Sequence, residues 1–213
     1  MRRGQVTIFI ILGILLLAIF AILQYSGWIN LLGAGQRTFE AVVIDPETQP
    51  VFDYVKTCVQ SVGQDALTRL GMHGGYVDFN GNIRSGDPTN SDGVELVPGS
   101  KEYVSYWYYL ADTNTCEGNC LFRSRRPILR GPAPSIETDL ANHLRKNIKE
   151  CLADFQPLKD MAFTVNERAQ PTTAVTITED SVIFLLTYPI SIERGCKTYS
   201  IDRFPVEIDA PLG

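Results

Sequence analysis

Thr173-Ala-Val-Thr-Ile-Thr-Glu-Asp-Ser-Val-Ile-Phe-Leu-Leu-Thr-Tyr-Pro-Ile-Ser-Ile-Glu193 reads as two β-strands and the turn between them. Thr173 to Thr178 alternates, Glu179-Asp180-Ser181 turns, and Val182 to Glu193 returns as a long apolar strand. Gly195 turns the chain again, and Thr198 to Ile208 supplies a third strand. Three consecutive strands joined by short turns predict an antiparallel meander. The chain closes on Ala210-Pro211-Leu212-Gly213 without a terminal helix or tail, an ending expected of a fragment of a longer protein.

Upstream the period changes from two to 3.6. Ile136, Leu140, Leu144, Ile148, Cys151 or Leu152, and Phe155 form one apolar stripe, predicting a helix from about Ser135 to Phe155. Ser135 is its N-cap, and Glu137 and Asp139 suit the positive end of the helix dipole. A second stripe of Val51, Val55, Cys58, Val62, Ala66 and Leu70 predicts a helix from about Pro50 to Leu70. Asp45-Pro46-Glu47-Thr48-Gln49-Pro50 is its entry signal and Gly71 its expected stop. Between the helices lies a turn-rich stretch. Tyr76-Val77-Asp78-Phe79 reads as a short strand leading into an Asn80-Gly81 turn, and Tyr103 to Leu110 as an aromatic strand. The expected fold class is α+β: two amphipathic helices packed on an antiparallel sheet, over residues 47–213.

The N-terminus obeys different rules. Val6 to Leu23 is an apolar run without a charge, about 27 Å long as a helix and close to the ~30 Å hydrocarbon thickness. Tyr25 and Trp28 follow at interfacial depth. All but two of the 19 basic side chains, and all 24 acidic ones, lie beyond it; the exceptions, Arg2 and Arg3, hold the short end inside. A single-pass protein of the cell membrane is therefore expected: a basic leader (1–4), a transmembrane helix (5–24) in contact with membrane lipid, a stalk (25–46) and an extracytoplasmic domain (47–213). A cleaved secretory signal is the competing reading; Leu32-Gly33-Ala34-Gly35 offers it a late site. The acidic exterior argues against a nucleic-acid partner, because phosphate binding needs a basic face.

Arg2-Arg3-Gly4-Gln5-Val6-Thr7-Ile8-Phe9 resembles the class III signal of archaeal type IV pilins and archaellins. That resemblance implies a processing site between Gly4 and Gln5, and assembly through the apolar helix. The chain departs from the family at Phe9, where many pilins carry a glutamate. The wider layout, with Cys58, Gly74-Gly75-Tyr76 and Tyr188-Pro189-Ile190, resembles a group of uncharacterised archaeal single-pass surface proteins and implies a location without an activity.

Five cysteines lie beyond the apolar run: Cys58, Cys116, Cys120, Cys151 and Cys196. Cys58 and Cys151 are candidates for a bridge between the two helices, or else two small buried hydrophobes. Cys116 and Cys120 read as a local disulfide; a zinc knuckle needs two further ligands, and His73 and His143 are distant. The alternating Asp and Asn residues of 78–95 fit no EF-hand register and read as a solvated loop, so no metal or cofactor is expected. Tyr106, Trp107, Tyr108, Arg123, Arg125 and Arg126 form a candidate contact surface, able to stack on sugars or to meet another subunit. No G-x-S-x-G, H-E-x-x-H, G-x-G-x-x-G or P-loop occurs, and no enzyme is expected. The expected function is a surface-structural or pilin-like subunit of the envelope that associates with itself or other envelope proteins. The alternative is an anchored binding module for a glycan, peptide or partner surface. The topology is checked by a cysteine placed in the 78–95 loop, which should react with an impermeant reagent on intact cells; labelling only after lysis would reject it.

Overall fold

The long second-to-last strand of the sequence becomes the central strand of a sheet, and everything else in the domain is placed from it. A computed structural model describes residues 13, 15, 44–79, 81–84, 91–112 and 116–212. The chain divides into two compact units, Met1–Ala41 and Val42–Gly213. The leader, the expected span and the stalk before Ile44 lie outside the described residues, apart from Gly13 and Leu15, both helical. Among the described residues no helix is long and apolar enough to cross a membrane.

The second unit is an α+β domain. In chain order it holds α1 (Gln49–Met72), β1 (Gly93–Glu95), β2 (Tyr103–Ser105), β3 (Tyr108–Leu110), β4 (Phe122–Ser124), α2 (Ile136–Leu152), a 3-10 turn (Ala153–Phe155), α3 (Gln156–Lys159), β5 (Thr164–Glu167), β6 (Thr172–Ile177), β7 (Ser181–Arg194) and β8 (Lys197–Asp209). The predicted meander is β6-β7-β8, all antiparallel. β5 is an addition that the sequence reading left out: it pairs with the far half of β7, beyond β6 on the same edge.

Side chains alternate across a strand, so Val182, Phe184, Leu186, Tyr188, Ile190 and Ile192 of β7 all point to one face and all are buried. Pro189 has no N–H to give a central strand, and the ladder to β8 accommodates it with a register shift between Thr187 and Ile190. The same two residues mark where the opposite edge changes from β6 to β5, and Arg168 N–H donates to the Pro189 carbonyl at 2.9 Å. The Tyr188 hydroxyl is buried without a hydrogen-bond partner among the described residues. Burial first, and then the nearby Glu167 carboxylate, push its pKa up.

Both helices lie on this face, α2 over β6 and α1 over β8 and β7. Phe52 stacks on Phe204 with centroids 5.5 Å apart, and Gly63 brings α1 so close that an added Cβ would sit 3.0 Å from Ile208 and 3.2 Å from Phe184. The helices are antiparallel: Tyr54 reaches the Leu152 carbonyl, Cys58 bonds Cys151, and Asp65 meets His143. Tyr54 donates at 3.1 Å to one of the carbonyls orphaned at the end of α2. Buried His143 pairs with Asp65 at 3.1 Å, which makes it a satisfied structural residue. Ser135 caps α2 as expected, in a capping box with Thr138.

Three details differ from expectation. Gly71 lies inside α1, and the helix ends one residue later, at Met72, because Gly74 (φ +66°) and Gly75 (φ +95°) turn left-handed, the Gly75 N–H closing on the Leu70 carbonyl. Residues 76–79 bend at Val77 and Asp78 and form no strand, and Asn80 of the expected turn lies outside the described residues. The aromatic segment is two strands, β2 and β3, broken at Tyr106 and Trp107, because each half pairs with a different neighbour: β2 with β1, β3 with β4.

Both expected disulfides are present, Cys58–Cys151 and Cys116–Cys120, and Cys196 is exposed and free. Two bridges belong to an oxidising environment and hint at an extracytoplasmic domain. Cys58–Cys151 closes a loop of 93 residues. Urea unfolding of a Cys58→Ala/Cys151→Ala chain should show a loss of roughly 4 kcal/mol, from loop-closure entropy restored to the unfolded chain. A loss below about 1 kcal/mol would mean that the helix pair is held by packing alone.

Candidate functional site

The segment between the helices, 73–135, leaves the two-layer domain and folds beside it as two short ribbons. Trp107 ties it to the end of α1, its indole N–H donating to the Gly74 carbonyl at 2.6 Å. Lys146 of α2 ties it from the other side through Asp78 at 3.4 Å. Close contact explains the glycine here: a Cβ on Gly75 would stand 2.7 Å from Pro127.

The β3-β4 ribbon carries most of the expected contact surface. Tyr108 is 67% exposed, and its ring stacks on Phe122, itself 49% exposed, at 5.2 Å and 8°. The ribbon ends in a loop pinched by Cys116–Cys120. The candidate residues do not act as one patch. Arg123 and Arg126 are exposed, and Tyr106 is partly buried, its N–H donating to the Asp92 carbonyl. Trp107 is committed to Gly74. Arg125 sits 4.3 Å over the Tyr109 ring and is ion-paired with Asp92.

Asp92 in turn accepts from the Asn82 N–H at 2.8 Å. That hydrogen bond, more than the Arg125 charge, holds its pKa below the ordinary carboxylate value. This carboxylate therefore clasps Asn82 and Arg125 together and is not a disposed cation ligand. Among the described residues no group of three metal-ligating side chains converges.

Where the segment meets α2 it leaves a half-open cleft of about 340 Å³, at the small end of ligand pockets, which run from ~300 to 1,000 Å³. Tyr76 and Phe79, set edge to face at 6.4 Å, form one wall, and Asp139, Asn142 and Lys146 of α2 form the other. Arg125 also lines the cleft. The sequence reading had Arg125 and missed the rest. Asp139, Asn142 and Lys146 recur at three and four along α2, which places them on one helix face, but nothing in that spacing says what the face meets.

Asp139 is the unusual group. Burial raises its pKa, the Asp78 charge adds to this, and Lys146 offsets part of it. Its carboxylate makes no hydrogen bond or ion pair among the described residues. Comparison with known proteins adds no assignment: no family model, no curated protein and no solved structure matches the chain.

A carboxyl with a raised folded-state pKa binds its proton more tightly folded than unfolded. Its contribution to stability is therefore present at pH values below the unfolded pKa and is lost as pH rises through the folded one. Asp139→Asn removes that loss. Thermal unfolding should show Asp139→Asn more stable than wild type near pH 7 and indistinguishable near pH 3. Lower stability at pH 7 would mean that the favourable placement of Asp139 in the first turn of α2 outweighs its desolvation.

Proposed function

We propose that this chain is a membrane-anchored, extracytoplasmic surface subunit of the cell envelope, pilin-like in its N-terminal helix, which works by contact with neighbouring subunits. The observation that carries the reading is the β3-β4 ribbon. It projects a stacked Tyr108–Phe122 pair into solvent, and Leu121 beside Phe122 is 50% exposed. A monomer that stayed alone would gain by replacing these side chains with polar ones; as part of an interface core, aromatic anchors are what association uses. Cys116–Cys120 holds the loop in a closed form, so less chain entropy is lost on contact. The Val6–Leu23 run and the Arg2-Arg3-Gly4-Gln5 start support an anchor whose helix is also an assembly surface, with Gly13, Ala18 and Ala21 allowing close helix approach.

A photoreactive residue at Tyr108 in the full chain, irradiated in native membranes, should give a covalent adduct with a second copy or another envelope protein. The same group at Thr57, exposed on α1, should give monomer. Monomer from both sites rejects the ribbon as the contact. Gly4→Leu is expected to abolish N-terminal processing and any assembled form while leaving the domain folded. Mature protein that still begins at Met1 in the wild type rejects the pilin-like part and leaves a plain anchored domain.

A further inference from the structure

The cleft beside α2 does not contribute to the aromatic ribbon, and its chemistry is of another kind. Four charged side chains line it: Asp78, Arg125, Asp139 and Lys146. Three of them are already matched. Lys146 and Asp78 pair with each other, and Arg125 is taken by Asp92 and by the Tyr109 ring. The fourth, Asp139, is the mismatch: a partly buried carboxylate with no hydrogen bond or ion pair among the described residues. With Asp92 counted, the group carries one net negative charge.

We propose that this cleft binds an alkylammonium group, with Asp139 as its counter-ion and the Tyr76 and Phe79 rings as its wall. A charge taken partly out of water costs free energy that an opposite charge in the same place recovers. A ligand must therefore be positive to be held here; an anion would have to displace Asp78 or Asp92 from cations they already satisfy. A hard metal ion is unsuited, because it takes six or more oxygen ligands and the cleft offers one unpaired carboxylate. An ammonium needs less. Its three N–H donors are met by Asp139, by the remaining lone pair of the Asn142 amide oxygen, which also accepts from Arg145 at 3.0 Å, and by water, and its methylenes lie against the apolar part of the lining. An aromatic face turned to it adds a cation–π attraction. The volume takes a body of only a few carbons, which fits a short free amine or the end of a lysine side chain.

The test uses the full chain in detergent and ligand-observed NMR with n-butylammonium, n-butanol and butyrate as probes. n-Butylammonium should bind with Kd on the order of 1 mM, and neither isostere should compete with it. Asp139→Asn should weaken binding by about tenfold or more. Lys146→Met, which removes a competing cation and leaves Asp78 unpaired, should tighten it. Opposite directions from two substitutions on one face of one helix separate a binding role from general damage, and unfolding temperatures no lower than wild type for both confirm it. Nα-acetyl-lysine methylamide serves as the second ligand. Tighter binding than n-butylammonium assigns the site to a protein side chain, and equal or weaker binding assigns it to a free amine; both support the ammonium chemistry. Equal binding of n-butylammonium by wild type and Asp139→Asn, or preference for butyrate, overturns the proposal. So does the lack of any wild-type signal at about 10 mM. None of these results bears on the Tyr108 cross-link, so this site and the ribbon stand or fall separately.

Discussion

The alternation of β7 is the constraint on which the rest depends. Six large side chains from Val182 to Ile192 occupy every second position and make one continuous apolar face. A slip of one residue in pairing would turn all six to water, so the register against β6 and β8 is fixed by burial as well as by hydrogen bonds. Pro189 is the one residue that breaks the ladder, and the shift in β8 confines the break to a single step. The price is visible in β8, where Asp202 and Arg203 both face solvent before Phe204 resumes the inward pattern.

The helices cover that face and fix each other. Their antiparallel contact is held at one end by Cys58–Cys151 and the Tyr54 hydroxyl, and further along by Asp65–His143. α2 is also keyed to the sheet through polar contacts: Thr173 donates to the Ala141 carbonyl at 2.7 Å, and Glu137 accepts from the Ile177 N–H at 3.0 Å. At the entry to the domain, Glu47 accepts from both Lys197 and Tyr199 of β8. The lysine hydrogen bond above all keeps the Glu47 pKa low. The start of the domain is thus fastened to the sheet's outer strand.

The segment between the helices follows another logic. Its ribbons are three residues to a strand, too short to bury a face of their own, and they depend on Trp107, Asp92–Arg125 and Lys146–Asp78 for their place. A part held by a few polar contacts beside a closed core leaves seams and exposed rings. The cleft and the Tyr108–Phe122 pair are two outcomes of that arrangement, and they suit two kinds of partner.

The sequence by itself determined the elements whose period is imposed by one buried face. The meander from Thr173 to Ile208, the stripes of Val51 to Leu70 and Ile136 to Phe155, the Ser135 cap, and the place of Cys58 and Cys151 on those stripes were all legible, because each follows from local geometry and one apolar side. Only the tertiary structure decided what lacks such a period. β5 is four residues with one partly buried side chain, Val165; it is a strand because β7 extends past the end of β6 and offers an open edge. The aromatic run from Tyr103 to Leu110 divides at Tyr106 because two different partners claim its halves. Asp139 reads in sequence as an ordinary acid at a helix start. Burial and the charge of Asp78, some sixty residues earlier in the chain, raise its pKa, and Tyr76 and Val77 line the same cleft. A site built across such a distance is set by which surfaces the core brings together, and that information is absent from the spacing of residues along any one element.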